Sequence, residues 1–183
     1  RSRVIDERLL QSSRRMEMIH DMSAYIPAEK MTEVLRSLSN ETGERVRLYA
    51  PSGALQFDSA RTGGATYTLV DPDEEPLKRH IARFLDLIVD TVVGADPLAP
   101  FEEPSTDSAM QWPEVREAVK AGHSITSARF APDRTPMISS AIVLANGSAI
   151  LSVTNARDIT RAVRAERLRL ALVVTLALLG SIW

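Results

Sequence analysis

The 183-residue sequence contains no cysteine, so no disulfide can form, and this absence is compatible with a periplasmic address, where stray thiols risk oxidation. It also lacks an excess of positive charge. The net charge of -2 argues against a nucleic-acid surface, which needs a basic face. No serine–histidine–aspartate arrangement, glycine-rich phosphate loop or metal-spaced histidine pair stands out, so this segment is not predicted to be an enzyme. A signal peptide and a fixed-period repeat are absent as well.

The chain ends on fourteen residues without a charge, Leu170 to Trp183, which follow a strongly charged, helix-prone stretch at 157–169. A charged helix that turns abruptly apolar is typical of a helix that enters a bilayer. Because a full span needs about 20 apolar residues, the chain is expected to stop partway through a transmembrane helix. Since it opens on Arg1 rather than Met, a segment upstream is expected too. The predicted organisation is an N-terminal signalling helix at 1–23, a folded domain at 24–156, and a juxtamembrane helix at 157–183 that leads into the membrane.

Both end helices carry a stripe of mostly apolar residues at a heptad-like spacing. The steps along each stripe alternate between four and three residues, with Ser12 between Leu9 and Met16 in the first helix. One interpretation is an amphipathic helix that lies on its own domain, and the other is a parallel dimer seam through which a signal passes. The candidate seam residues are Ile5, Leu9, Met16 and Ile19 in the first helix, and Ile159, Val163, Glu166 and Leu170 in the last.

The middle of the chain alternates between helical and strand patterns, which predicts an α+β domain. Apolar stripes predict helices from about Ala28 to Ser39, from Leu77 to Val92, and from Pro113 onward. The proline- and acid-rich stretch 95–111 is predicted to be a loop. An antiparallel sheet of about five strands is expected from the strand patterns at 47–50, 54–58, 67–70, 124–131, 137–145 and 148–155.

The last two strands are joined by Asn146-Gly147, which is the strongest short hairpin signal. A two-residue turn pairs Leu144 with Ala149 and sets the register of the whole hairpin. In that register one face is apolar and the other is small and partly hydroxylic. The second face either packs under a loop or lines a small pocket, whose candidate residues are Ser139, Ala141, Ser152 and Thr154.

Titratable groups that respond to mild acid, or that bind a cation, have their best candidates in the middle of the chain. The densest acidic run includes Asp73, Glu74 and Glu75, and His80 follows it closely, whereas His123 comes just after a glycine and begins a predicted strand. An imidazole titrates near pH 6.5, so mild acid charges it. The alternative is that the carboxylates favour the N-terminus of the next helix and that the histidines are surface residues.

Three stretches of the sequence resemble one family. Arg47-Leu48-Tyr49 through Gly53 to Asp58-Ser59 is similar to its "R-x-Y-x-x-x-G-x-x-x-x-D-S" strand pair. Trp112-Pro113-Glu114-Val115 with Ala118 is similar to its "Y-P-E-V-x-x-A" helix. Asp158-Ile159 with the run from Val163 to Leu168 resembles its "D-I-x-x-x-V-R-A-E-R-L" approach to the second transmembrane helix. The family is the periplasmic sensor region of the ChvG/ExoS/BvrS histidine kinases of alphaproteobacteria.

The resemblance implies a homodimeric kinase of a two-component system in the bacterial inner membrane, with a PAS-like (PDC-type) periplasmic domain between two transmembrane helices. It implies that ATP, Mg²⁺ and the phosphorylated histidine belong to a kinase region downstream of Trp183. None of His20, His80 and His123 is therefore expected to be the phosphoacceptor, and no cofactor is expected in this segment. The implied signals are acid or envelope stress, and the implied partners are a periplasmic repressor protein of the ExoR type in some members and a cytoplasmic response regulator.

The competing hypothesis is a small-molecule or divalent-cation receptor built on the same domain and belonging to a chemoreceptor or a cyclase. A pocket on the hydroxylic face of the hairpin favours this hypothesis. A closed apolar sheet with an exposed surface for a protein favours the two-component sensor.

Overall fold

The computed structural model describes residues 3–67, 69, 98–133 and 135–156. In these residues five strands form one antiparallel sheet in the order β2-β1-β5-β4-β3. The elements, in chain order, are α1 (Arg3–Ser23), α2 (Ala28–Thr42), β1 (Arg45–Tyr49), β2 (Leu55–Asp58), α3 (Pro113–Ala121), β3 (Ile125–Phe130), β4 (Pro136–Val143) and β5 (Ala149–Asn155). The predicted α+β class, with a PAS-like antiparallel sheet and a long N-terminal helix, is confirmed. Of the short strand expected at 67–70, Tyr67 and Leu69 are described and neither lies in a strand.

Two glycines end elements where the sequence predicts it. Gly43 follows α2 with a φ of 71°, and its amide donates to the Ser39 carbonyl. Gly53 closes the turn after Pro51 with a φ of 86°, and its amide donates to the Ala50 carbonyl at 2.8 Å. A left-handed φ is readily adopted only by glycine, so these two positions determine where α2 stops and where β1 turns back.

The first face of the sheet is covered by α1 and α2. Even-numbered residues of β1, β4 and β5 point to this side, where Val46, Ile142 and Ile150 pack against Met16 of α1 and Leu35 of α2. All five side chains are fully or almost fully buried. Burying one such side chain contributes about 1.5–3 kcal/mol, so this layer holds α1 onto the chain's own sheet.

The apolar stripe of α1, whose heptad-like spacing is also compatible with a dimer seam, is part of this buried layer. Ile5, Leu9, Met16 and Ile19 are at most 9% exposed and pack against α2 and the sheet. These four residues belong to the chain's own core. The structure therefore agrees with the interpretation of α1 as an amphipathic helix that packs on its own domain. The second half of the predicted seam, at Ile159, Val163, Glu166 and Leu170, lies outside the described residues.

The second face of the sheet is covered by α3 and by the segment that precedes it. Odd-numbered residues point to this side, and Tyr49, Met137 and Leu151 pack there with Trp112 and Val115. Both faces of β1 and β5 are therefore buried. For this reason the alternation of exposed and buried residues, which usually marks a strand in a sequence, is weak in them.

The hairpin between β4 and β5 differs from its prediction by one residue. Its loop has three residues, Ala145 to Gly147, because the Leu144 amide donates to the Ser148 carbonyl and Gly147 takes a φ of 83°. A three-residue loop that ends in a left-handed glycine is the next common hairpin type after the two-residue turn. The pairing is consequently Val143 with Ala149 and Ser140 with Ser152, and not Leu144 with Ala149.

This shift separates the four candidate pocket residues. Ser139 and Ala141 pair with Val153 and Leu151 on the α3 side of the sheet, whereas Ser152 and Thr154 belong to the α1 side. A one-residue slip moves a strand's whole residue set to the opposite face. The predicted pocket at Ser139, Ala141, Ser152 and Thr154 therefore does not exist as one surface.

No helix among the described residues has the length and apolarity that crossing a membrane requires. The predicted membrane-entering stretch at 157–183 lies outside the described residues.

Candidate functional site

A segment that we name the strap, residues 98–112, runs over the second face of the sheet. At one edge the Phe101 amide donates to the Phe130 carbonyl of β3 at 2.7 Å. Near the opposite edge the Ala109 amide donates to the Gly53 carbonyl in the β1–β2 turn at 3.0 Å. The described part of the predicted loop at 95–111 is thus hydrogen-bonded to both edges of the sheet.

Beneath the strap lies a charged cluster that we name the clasp, formed by Arg45, Arg47, Asp58, Glu103 and Asp107. Arg45 donates to both carboxylate oxygens of Asp58, with Nε–Oδ1 at 3.0 Å and Nη2–Oδ2 at 2.7 Å. Such a two-pronged pair fixes both direction and distance. It binds the neighbouring strands β1 and β2 to each other through their side chains.

Arg47 is the centre of the clasp, and its side chain is 0% exposed. Its guanidinium lies over the indole ring of Trp112, with Cζ 4.9 Å from the ring centroid. Its Nη2 donates to Glu103 of the strap and, at 3.4 Å, to the hydroxyl of Tyr67. A buried charge costs several kcal/mol unless it is paired. The buried guanidinium of Arg47 therefore favours the conformation in which the strap and Trp112 remain in contact with it.

The remaining contacts of the clasp are made by aromatic residues. The Tyr49 hydroxyl donates to Asp107 at 2.6 Å, and burial together with this bond raises the pKa of Tyr49. Arg45 lies over the ring of Tyr67, with Cζ 5.5 Å from its centroid, and Tyr67 meets Phe101 edge to face at 5.8 Å. The strap is therefore bound by charges at Glu103 and Asp107 and by aromatic packing at Phe101.

The two ends of the clasp differ in their access to solvent. Asp58 is 0% exposed, whereas Glu103 is 36% and Asp107 is 27% exposed. The carboxylates that belong to the strap are thus the ones that protons, ions or another molecule can reach. The pair between Arg45 and Asp58, which joins β1 to β2, does not depend on these strap carboxylates.

The pKa of Asp58 determines the pH below which its ion pair with Arg45 is lost. Burial raises this pKa, but the hydrogen bonds and charge of Arg45, the Ala60 amide and Arg47 outweigh burial and hold it below its ordinary value. A lowered folded-state pKa stabilises the fold at pH values above the unfolded pKa of about 3.9, and this stabilisation is lost as pH falls through the folded value. Asp58 therefore does not respond to mild acid.

We expect the stability difference between the chain and its Asp58→Asn variant to be constant from pH 7 to about pH 5 and to shrink below about pH 4. Urea denaturation at pH 7, 5.5, 4 and 3 measures this difference. A difference that already shrinks between pH 7 and 5.5 contradicts the assignment of a lowered pKa to Asp58.

A second buried acid joins α3 to the edge of the sheet. Glu114 is 1% exposed, accepts a hydrogen bond from the Ser127 hydroxyl, and pairs with Arg129 at 2.7 Å. It belongs to the sequence motif Trp112-Pro113-Glu114-Val115. This contact positions α3, and with it Trp112, against β3.

Polar groups also fasten α1 to the start of β3. Glu17 accepts a hydrogen bond from the Ser124 amide at 2.7 Å, and the two serine hydroxyls of Ser13 and Ser124 are 2.8 Å apart. Hydrogen bonds from Ser124 lower the pKa of Glu17, and the charges of His20 and His123 add to this effect. His123, a residue predicted to sense acid, directly precedes Ser124, whose amide binds this carboxylate of α1.

The described part of the chain does not include the other residues that were predicted to sense acid or a cation. His80, Asp73, Glu74 and Glu75 lie outside the described residues. Within the described residues no group of three or more histidine, cysteine, aspartate or glutamate side chains is arranged to hold a metal ion.

The clasp was not among the residues proposed from the sequence as a site. Its only signal was the "R-x-Y" and "D-S" motif, whose members Arg47, Tyr49 and Asp58 converge here. Glu103 and Asp107 carry no local signal, because they reach the arginines only through the path of the strap.

The model of a family described as a stimulus-sensing domain matches residues 26–133, which include β1, β2, the strap and α3. No curated protein and no solved structure matches the chain.

Proposed function

Because the chain belongs to the stimulus-sensing domain family, we propose that it is the periplasmic sensor of a membrane-bound two-component histidine kinase. In this proposal residues 1–23 follow a first transmembrane helix, and residues 157–183 lead into a second one. ATP, Mg²⁺ and the phosphoacceptor histidine belong to the cytoplasmic part, which acts on a response regulator. The family match supports the sensing role, and the kinase is inferred from the sequence motifs.

The observation that carries the proposal is a strap closed over a buried charge. Arg47 is fully buried. The carboxylates that pair with it from the strap, Glu103 and Asp107, belong to a segment that is hydrogen-bonded to both edges of the sheet. Removing either strap carboxylate leaves the arginine charge less well paired, which favours opening of the strap. A stimulus at an exposed surface is in this way converted into a rearrangement across the whole second face.

For the stimulus we propose acid or envelope stress, or the release of a periplasmic repressor protein. The junction at Glu17 supports acid, because hydrogen bonds from Ser124 and the charges of His20 and His123 together lower the pKa of the carboxyl that ties α1 to β3. Of the two histidines only His123 belongs to the β3 side, so its charge is the one that attracts α1 towards the start of β3. Release of a protein from the strap acts on the second face of the sheet, through Glu103 and Asp107.

We propose a homodimer whose contact surface is the outer side of α1. Val4, Met18 and Met22 lie on the side of α1 turned away from the sheet and are 43%, 60% and 48% exposed. Large exposed apolar side chains on one helix face are a common mark of a protein contact. The inner stripe of α1 is already occupied, so a second copy has only this outer side of the helix to pack on.

A receptor for a small molecule is the competing function, and one observation favours it. A cavity of about 250 Å³ lies between the α1–α2 connection and the two hairpins. Ile26, Met31, Leu48 and Leu144 line it, and none of its lining residues in the described part of the chain is charged. It fits a small uncharged molecule, and it lies on the α1 side of the sheet, away from the clasp.

The test uses the complete receptor in membranes, with autophosphorylation measured between pH 7 and 5.5. We expect Glu103→Gln combined with Asp107→Asn to change the basal kinase activity about fivefold or more, which is the range of ordinary allosteric coupling. Glu102→Gln is the matched control, since Glu102 is exposed on the same strap and is expected to leave the activity unchanged.

Two outcomes contradict the proposed function. One is a full-length protein that carries no kinase region after Trp183. The other is a kinase whose activity ignores the strap variants but changes when Leu144→Trp fills the cavity beside α2, which is the result expected of the small-molecule receptor.

A further inference from the structure

Three hydroxyl side chains form a row across the sheet, directly under α1. Thr126 of β3 pairs with Ser140 of β4, and Ser140 pairs with Ser152 of β5. All three are on the α1 side, where Ile138, Ile142 and Ile150 of the same strands belong to the buried apolar layer. Adjacent strands are about 4.8 Å apart, so the row offers α1 three polar positions at regular intervals.

In the structure α1 occupies the middle position of this row. The Ser12 hydroxyl lies 2.5 Å from the Ser140 hydroxyl, and both residues are buried. The end member Ser152 donates to the buried carboxylate of Glu44, which also pairs with Arg15 of α1. The other end member, Thr126, has a buried hydroxyl oxygen with no hydrogen-bond partner in the part of the chain that the structure describes.

Two sets of contacts hold α1 in place from opposite sides. The pair between Arg15 and Glu44 acts from the side of β1, because Glu44 immediately precedes that strand. The bonds of Ser13 and Glu17 to Ser124 act from the side of β3. The position of α1 over β4 is the balance between these two sets.

We propose that α1 has a second docking position, displaced towards β3, in which Ser12 leaves Ser140 and binds Thr126. The number of unpaired hydroxyls does not rise in this move, since Thr126 gains a partner when Ser140 loses one. A buried hydroxyl without a partner costs about as much in either place, so the row gives the two positions similar energies. Ala128 of β3, which already packs against the cluster that contains Ile5 and Leu9, provides apolar contact for the displaced helix.

The pair between Arg15 and Glu44 selects between the two positions. It favours the observed position and is lost or stretched in the displaced one. That this displacement serves as the output of the sensor rests on the proposed function. The existence of two positions does not, and it is testable on the 183-residue chain alone.

The absence of cysteine makes the test direct, because any disulfide must form between introduced residues. A disulfide forms only where two Cα atoms lie within about 7 Å. Ser12→Cys with Ser140→Cys captures the observed position, and Ser12→Cys with Thr126→Cys captures the displaced one. Both pairs are oxidised in the otherwise unchanged chain and in chains that carry Glu44→Gln or the control Glu41→Gln, where Glu41 is an exposed residue of α2.

We expect both crosslinks in the folded chain, with the 12–140 crosslink in excess, and a rise of about threefold or more in the share of the 12–126 crosslink with Glu44→Gln alone. The proposal is overturned if 12–140 crosslinks readily and 12–126 does not form in any of the three backgrounds. It is also overturned if Glu41→Gln raises the share of 12–126 as much as Glu44→Gln does, because the change then reflects general loosening.

A second measurement leaves the hydroxyl of Ser12 intact. Thr126→Val removes the second docking partner at constant shape, so it is expected to slow hydrogen exchange of the α1 amides relative to those of β4. Thr126→Ser keeps the hydroxyl and is expected to leave this ratio unchanged. Equal slowing in α1 and β4 with Thr126→Val shows general stabilisation and contradicts a second position of the helix.

Discussion

Replacing Arg47 with methionine is expected to lower the free energy of unfolding by about 3–5 kcal/mol, the usual cost of breaking a buried charged pair by removing one member. Methionine retains much of the length of the side chain, so the loss arises from charge and not from an empty space. Asp58 stays 0% exposed with less compensating charge, Glu103 loses its closest cation, and Trp112 loses the guanidinium 4.9 Å above its ring.

Urea denaturation measures this difference through the midpoint, provided that the slope with denaturant is unchanged. Arg61→Met is the matched control. Arg61 also lies near Asp58, at 3.8 Å, but its side chain is 69% exposed, so its removal is expected to matter by no more than about 0.5 kcal/mol. A loss below about 1 kcal/mol for Arg47→Met contradicts the view that the clasp organises the second face.

Trp112→Ala is expected to cost about 3–5 kcal/mol, as for other large aromatic side chains removed from a core. The Trp112 side chain is 1% exposed and packs between Arg47 and Phe101. Its loss leaves a cavity below the strap and removes the ring that faces the guanidinium. We expect the strap to be affected together with the fold as a whole.

The control for this variant is Met110→Ala, two residues earlier on the strap, where the side chain is 51% exposed. Its expected effect is within about 0.5 kcal/mol. Thermal or urea unfolding measures both variants. Equal effects of Met110→Ala and Trp112→Ala are incompatible with a buried, packed tryptophan at the base of the strap.

In the hairpin between β4 and β5, the sequence predicts the position of the turn but not the register of the strands. Asn146-Gly147 correctly marks the reversal between β4 and β5, because glycine is needed for the positive φ. The same two residues suit a two-residue turn or the end of a three-residue loop. The choice depends on packing, since the observed register places Met137 and Leu151 under α3 and Ile142 and Ile150 under α1.

The first helix shows the same limit for a different reason. Its heptad-like stripe correctly predicts one buried side, but a stripe has no information on what covers it. The sheet supplies the cover for Ile5, Leu9, Met16 and Ile19 within the same chain. Of the residues proposed from the sequence as sensing groups, His123 alone lies in the described part of the chain. Glu17, which binds the adjacent Ser124, comes from a helix over 100 residues earlier.

The sequence by itself determined the elements whose causes are local: the helices with an apolar stripe, the glycines that end them, the two hairpins and hence an α+β sensor-like domain. Only the tertiary structure decided what depends on distant parts of the chain meeting. The register of β4 and β5, the burial of Arg47 beneath Trp112, and the path that takes Glu103 and Asp107 to β1 belong to this second group. The physical reason is that a side chain's charge and periodicity are properties of its own segment, whereas its burial and its partners are set by how both faces of the sheet are filled.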